Sequence, residues 1–425
     1  MEQQRPNNGY QPGGQQPGYQ PGNQPGNQSG YQPGNPQAGQ QSGQRFGYQP
    51  GGQQPGGQPG YPKPDGQSGQ RFGYQPGQQP GGQSGYQPGN PQPGWQQSPP
   101  PAGGRQHFLS PEKWRDHTAI RHISNATGIA IIVYTVLPAL VSVILNLLPG
   151  FPEAYNSNQL FALAVDSLFA MECVGLPFFV SYVYLRREEL SEPLAFGTPA
   201  SGGAAALLVF VGLMLCMVGN YATGFLSNFV NAVFGITFTA PEDAFTITNG
   251  AEFGMRVLQT AVVPALVEEF AMRGTVLMPL RRYGDKFALL TSAFVFALIH
   301  GNMEQIPFAF IAGLGIGYAV LATGSLWTGV LIHFFNNFIA VCSEAMYDLL
   351  PASTASVLTL AMLLFVFLAG VVTLIIYLVR YQRLPLDTVK TPLDSRERNR
   401  AFLCSAPMVI SIVLLVLRTI TYVEI

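Results

Sequence analysis

Two hydropathy regimes meet in this chain. Up to about residue 104 there is hardly an aliphatic side chain, and beyond residue 125 long apolar runs alternate with short polar breaks. The runs near 126–148, 159–184, 203–226, 255–280, 286–301, 305–323, 325–347, 355–380 and 401–421 predict nine helices. A membrane crossing takes about 20 apolar residues, with a range of about 17–25. The fifth and sixth runs are short for that and predict re-entrant or tightly packed segments. The pattern as a whole predicts an all-α, polytopic transmembrane bundle of eight or nine helices.

The polar region carries no such period. It consists of imperfect copies of Tyr-Gln-Pro-Gly, with GQSGQRFGYQPG around Arg45 repeated around Arg71 and YQPGNPQ at Tyr31 repeated at Tyr86. Without apolar burial nothing offsets the entropy of ordering, so residues 1–116 are expected to be a disordered tail and residues 117–425 the helical domain. The tail is read as a flexible spacer, or as a weakly self-associating segment with Tyr and Phe as stickers. No apolar leader opens the chain, so the first helix is expected to be its own insertion signal.

Composition sharpens the membrane reading. Only 11% of residues are charged, against about 25% in soluble domains. The cations cluster at Lys113, Arg115 and Arg121, at Arg186 and Arg187, at Arg281, Arg282 and Lys286, and from Arg380 to Arg400. With nine alternating helices these clusters fall on one face, which predicts a multi-pass cell-membrane protein with a cytoplasmic N-terminal tail. The bilayer is then a partner, and no nucleic acid is expected. Cys173, Cys216, Cys342 and Cys404 each lie in an apolar run without a CxxC pair, and read as buried filler.

The polar residues inside the apolar runs carry the chemistry. A charge in mid-bilayer costs about 2.5–3.5 kcal/mol on insertion scales. Yet the fourth run holds Glu268, Glu269 and Arg273, the fifth ends on His300, and the seventh holds His333, Asn336 and Asn337. Glu269 and Arg273 are four apart and are expected to pair on one helix face. Glu268 is turned about 100° away and left free. His333 and Asn337, also four apart, can address a common target. Phe296, one turn before His300, is placed to pack beneath its ring. Pro264 frees a backbone carbonyl one turn before Glu268 and kinks the helix. Asp166 and Glu172 in the second run read as interhelical hydrogen-bonding groups or as shallower positions, with lining a polar cavity or pairing with Arg256 as the alternative. A free carboxyl, two imidazoles and an amide in one apolar core contain a base, a second proton carrier and oxyanion donors.

Glu268-Glu269-Phe270-Ala271-Met272-Arg273 resembles the EExxxR motif of the CAAX-protease and bacteriocin-processing (CPBP) family of intramembrane endopeptidases. Phe296 to His300 is similar to its FxxxH motif, and His333 to Asn337 to its HxxxN motif. The resemblance extends over about residues 205–347. It implies a helix bundle around a polar cavity, in which Glu268 and His300 activate water, His333 and Asn337 stabilise the oxyanion, and Glu269 and Arg273 support the site. It further implies a bacterial peptidase acting on a membrane-associated protein or peptide. No cofactor is expected. Zinc held by Glu268, His300 and His333 is the alternative, which the missing HExxH spacing and the adjacent arginine disfavour. Competing readings are a non-proteolytic scaffold or bacteriocin self-immunity protein, and a transporter using the two glutamates as proton carriers.

Overall fold

A computed structural model describes residues 110–241, 245–382, 386 and 390–425. The repeat-rich region lies outside the described residues, except for its last few positions. Those are helical: α1 (Pro111–Asn146) begins six residues before the expected start of the helical domain at 117. The reason is local. Ser110 accepts a hydrogen bond from the Lys113 amide, Pro111 supplies a ready-set first residue, and Glu112 lies in the first turn.

Then follow α2 (Phe151–Ser157), α3 (Gln159–Arg187) and α4 (Gly202–Phe234). The helical run α5 spans 250–280 and is followed by α6 (Asp285–Ile299), α7 (Ile306–Thr323), α8 (Leu326–Leu349) and α9 (Ala352–Arg380). The last two helices are α10 (Ser395–Leu403) and α11 (Ala406–Ile420). A two-residue antiparallel ribbon, Thr237–Phe238 with Val423–Glu424, is the one departure from an all-α fold among the described residues.

Six of these helices, α1, α3, α4, α7, α8 and α9, are long and apolar enough to cross a membrane. The pair α10 and α11, bent by 72°, makes a seventh if counted as one broken span. The other two expected crossings, α5 and α6, do not pass this test of length and composition. The first is interrupted by Glu268, Glu269 and Arg273. The second has 15 residues, and at about 1.5 Å per residue it falls short of a hydrocarbon layer about 30 Å thick. Neither needs to face lipid. Ala271, Met272, Val276, Leu277 and Ala288 are fully buried, packed in one core with residues of α1, α3 and α7. A second core joins α4 to α7, α8 and α9. Only 17% of the apolar windows of α1 and α9 is buried, so these helices form the rim.

The α5 run is irregular in a way the sequence period does not reveal. π-helical turns occupy Leu258–Val262 and Phe270–Leu277, leaving Val263–Glu269 as a short regular segment between them. Such turns shift side-chain register and often mark functional positions. The cysteines are free. Cys173 and Cys216 are buried as expected, while Cys404, at the break between α10 and α11, is exposed.

Outside the spans, α10 is fixed by a reciprocal cap. Asp394 accepts from the Glu397 amide at 2.8 Å, and Glu397 accepts from the Asp394 amide at 2.8 Å and from Lys113 Nζ at 2.9 Å. The hydrogen bond from the Glu397 amide holds the Asp394 carboxyl below its ordinary value of 3.8. A carboxyl whose pKa is lowered by folding stabilises the fold above its unfolded pKa and loses that contribution as the pH falls through the folded one. Thermal unfolding of Asp394→Ala in detergent should therefore lag wild type at neutral pH, with the gap narrowing once the pH drops below 3.8. A gap independent of pH would contradict the cap.

Candidate active site

The site grows from α5. Pro264 has no N–H, so the Thr260 carbonyl loses its usual helical donor. That carbonyl instead accepts from Asn337 Nδ2 of α8 at 2.8 Å. The kink expected from the proline is thereby stitched to the helix that carries His333.

One turn later Glu269 lies fully buried, as does Arg273. Arg273 Nη1 donates to Glu269 Oε1 at 3.0 Å, and His333 Nδ1 lies 2.9 Å from the same oxygen. Arg273 Nη2 also donates to the Gly313 carbonyl of α7 at 3.3 Å. Its guanidinium stands 4.7 Å from the centre of the Phe296 ring, a favourable cation–π arrangement. One carboxylate thus gathers groups from α5, α7 and α8, with α6 supplying the aromatic face. Gly329, one turn before His333, makes room for it: a Cβ there would lie 2.8 Å from Glu269 Oε2.

Glu268 behaves differently from its neighbour. Its side chain keeps 22% of its surface accessible, and its Oε2 lies 3.9 Å from His333 Nε2. His300 caps the C-terminal end of α6, and its Nδ1 lies 2.8 Å from the Phe296 carbonyl. With Nδ1 protonated, that contact leaves His300 Nε2 free to accept a proton. The His300 ring meets Phe296 edge-on at 5.0 Å, and the His333 ring meets it at 6.0 Å. Phe296 is accordingly a platform shared by both imidazoles and by Arg273. Glu268 and His333 lie within electrostatic reach of His300.

Asn337 has its amide engaged on both sides, donating to Thr260 and accepting from Asn336 Nδ2 at 2.9 Å. Its NH₂ carries two hydrogens, so one remains for a further acceptor. Asp166 accepts from Tyr155 of α2 at 2.8 Å, the interhelical contact expected of it.

Two further side chains were not singled out by their residue patterns. Tyr134 of α1 donates to the Ile299 carbonyl at 3.1 Å and lies within electrostatic reach of Arg418 of α11. The stem of Arg418 lies against Gly301, where a Cβ would come within 2.8 Å of Arg418 Cδ. Gly301 has φ +65°, a left-handed turn suited to glycine. Together these residues hold the turn that presents His300. The available signal was a lone arginine in the apolar run LLVLRTI.

Among the described residues, no group of three or more His, Cys, Asp or Glu side chains is arranged to hold a metal ion.

Residues 251–339 match the family described as type II CAAX prenyl endopeptidase Rce1-like. This segment is an Rce1-like domain of the CPBP family. It is narrower than the stretch 205–347 over which the resemblance was read, and it contains the seven motif residues. The family is one of proteases, and its presence among several apolar spans makes the chain a multi-pass membrane protein. No curated protein and no solved structure matches the chain.

Within the Rce1-like domain, the cluster around Glu269 has a testable energetic signature. Removing one partner of a buried pair costs about 3–5 kcal/mol, because a charge is left uncompensated, whereas removing both costs far less. Arg273→Met should lose stability on that scale in equilibrium unfolding in detergent, and adding Glu269→Gln should recover most of the loss. Simple additivity of the two substitutions would show that the pair is not coupled.

Proposed function

We propose that the protein is an intramembrane endopeptidase that hydrolyses a peptide bond of a membrane-associated protein or peptide through a water activated by Glu268 and His300. The observation that carries this reading is the division of labour between two adjacent carboxylates. Glu269 is consumed by Arg273 and His333, while Glu268 remains partly accessible beside an imidazole.

In the proposed reaction Glu268, with His300 Nε2 as second carrier, takes a proton from water as its oxygen attacks the scissile carbonyl. The tetrahedral oxyanion accepts hydrogen bonds from the second N–H of Asn337 and from His333. His333 Nδ1 is occupied by Glu269, so Nε2 is the nitrogen left to donate, and it does so when the ring carries both protons. Collapse of the intermediate breaks the C–N bond, and the stored proton passes to the leaving amine. No covalent acyl-enzyme forms. Glu269 and Arg273 act by positioning His333, and Phe296 by setting both rings. Donors of this kind contribute about 2.7–4 kcal/mol in known hydrolases.

With nine crossings, α5 and α6 included, the basic clusters share one face, which supports a cytoplasmic placement of the N-terminal tail, and the reading needs no cofactor. Zinc on Glu268, His300 and His333 is the competing account. Metal content and activity of the purified protein after chelation distinguish them: full activity in metal-free protein supports the glutamate mechanism, and loss restored by zinc overturns it.

Glu268→Gln should abolish cleavage of a membrane peptide by purified protein while leaving its thermal unfolding within about 1 kcal/mol of wild type. Turnover at the wild-type rate in that variant would remove Glu268 from the mechanism and return the scaffold reading to the front. Asn337→Ala should cut kcat by about 10²–10³.

A further inference from the structure

A cavity of about 410 Å³ lies between α4, α7, α8 and α9, adjoining the site through Asn337. Three carboxamides line it: Asn220 from α4, and Asn336 and Asn337 from α8. Asn220 is exposed in the middle of an apolar 33-residue span. It makes no hydrogen bond among the described residues, and the Asn336 side-chain oxygen is likewise unused. The facing walls are apolar, with Met217, Phe308, Leu363 and Val366 among them.

Free amides at this depth are costly unless something there answers them. Lipid tails carry no polar group. An unwound stretch of a membrane helix carries many: each residue outside helix geometry exposes one N–H donor and one C=O acceptor that hydrocarbon cannot satisfy. A carboxamide both donates and accepts, so it suits either backbone group, and the apolar walls suit aliphatic side chains. Peptide hydrolysis also needs the scissile region extended rather than helical, since a helical carbonyl is already hydrogen-bonded.

We infer that this cavity is a substrate subsite that takes the unwound, aliphatic segment beside the scissile bond of a membrane-spanning peptide, with Asn220 and Asn336 pairing with its backbone. The inference rests on the endopeptidase reading for its geometry, because Asn337 is shared by cavity and site. It narrows the substrate class to peptides with a locally helix-breaking, otherwise aliphatic segment. Asn220 is a binding residue contributed by a helix outside the Rce1-like domain.

The test uses the full chain in lipid nanodiscs, with a synthetic Leu/Ala-rich single-span peptide broken by a central Gly-Ser pair. A photo-crosslinking phenylalanine analogue is placed at Leu363 in the Glu268→Gln protein, so that binding is read without cleavage. The peptide should crosslink at Leu363, and an unbroken Leu/Ala helix should crosslink less. In the otherwise wild-type enzyme, Asn220→Leu should raise KM about 3–10-fold, the loss of one or two hydrogen bonds, with kcat within about twofold. Asn220→Gln should restore part of the loss. Val366→Trp fills the cavity from the opposite wall and serves where Asn220→Leu lowers thermal stability; it too should raise KM. Crosslinks to lipid alone, or unchanged KM in both Asn220→Leu and Val366→Trp, overturn the subsite even if the enzyme cleaves. Asn220-dependent crosslinking by a chain that never cleaves keeps the subsite and overturns the endopeptidase reading instead.

Discussion

A single buried carboxylate sets the geometry of this bundle. Glu269 has no accessible surface, so its charge has to be met within the protein, and Arg273 and His333 meet it on the same oxygen. The distances involved leave little freedom in how α5 and α8 lie against each other. Arg273 then needs partners of its own and finds them in the Gly313 carbonyl and the Phe296 ring, which brings in α7 and α6. A buried ion pair of this type is weak evidence for stability, since desolvation offsets much of the attraction. What it supplies is register: four helices whose apolar faces would accept several packings are restricted to one. Gly329 is part of the same constraint, because a side chain there would occupy the space of the carboxylate.

That register gives adjacent residues opposite roles. A rotation of about 100° per residue sends Glu269 into the ion cluster and leaves Glu268 partly accessible, near His333 Nε2. The consequence is a partly accessible carboxylate beside an imidazole, next in sequence to one wholly committed to the ion cluster. Thr260 and Asn337 repeat the theme. The carbonyl that Pro264 leaves without a donor becomes the anchor for an amide proposed to act on substrate.

Much of this was legible in the sequence, and the exceptions have physical causes. The helical runs were legible because a bilayer demands long apolar segments, and the Glu269–Arg273 pair because four-residue spacing survives even where Arg273 enters a π-helical turn. The enclosure of α5 and α6 was not legible, because hydropathy does not distinguish a helix facing lipid from one enclosed by other helices. The start of α1 was placed late because a capping serine and a proline, rather than hydropathy, set it. His333 was read as sharing a target with Asn337, and its bond to Glu269 was not foreseen, since contacts between helices far apart in sequence have no period to betray them. Tyr134 and Arg418 were missed for the same reason. Each is an ordinary residue in its own run and acquires meaning only where α1 and α11 meet the turn after His300.

The division between the Rce1-like domain and the rest of the chain is therefore not a division between chemistry and packaging. The charged run α5 and the short helix α6 are those least able to face lipid, and they are packed among α1, α3, α7 and α8. Insertion of three ionisable groups on one helix costs several kcal/mol, and that cost is offset only once the surrounding spans exclude lipid and α8 delivers His333. The outer helices also reach inward, Tyr134 and Arg418 to the His300 turn and Asn220 to the cavity beside Asn337. Residues outside the matched segment thus reach the same region of the bundle as the motif residues within it.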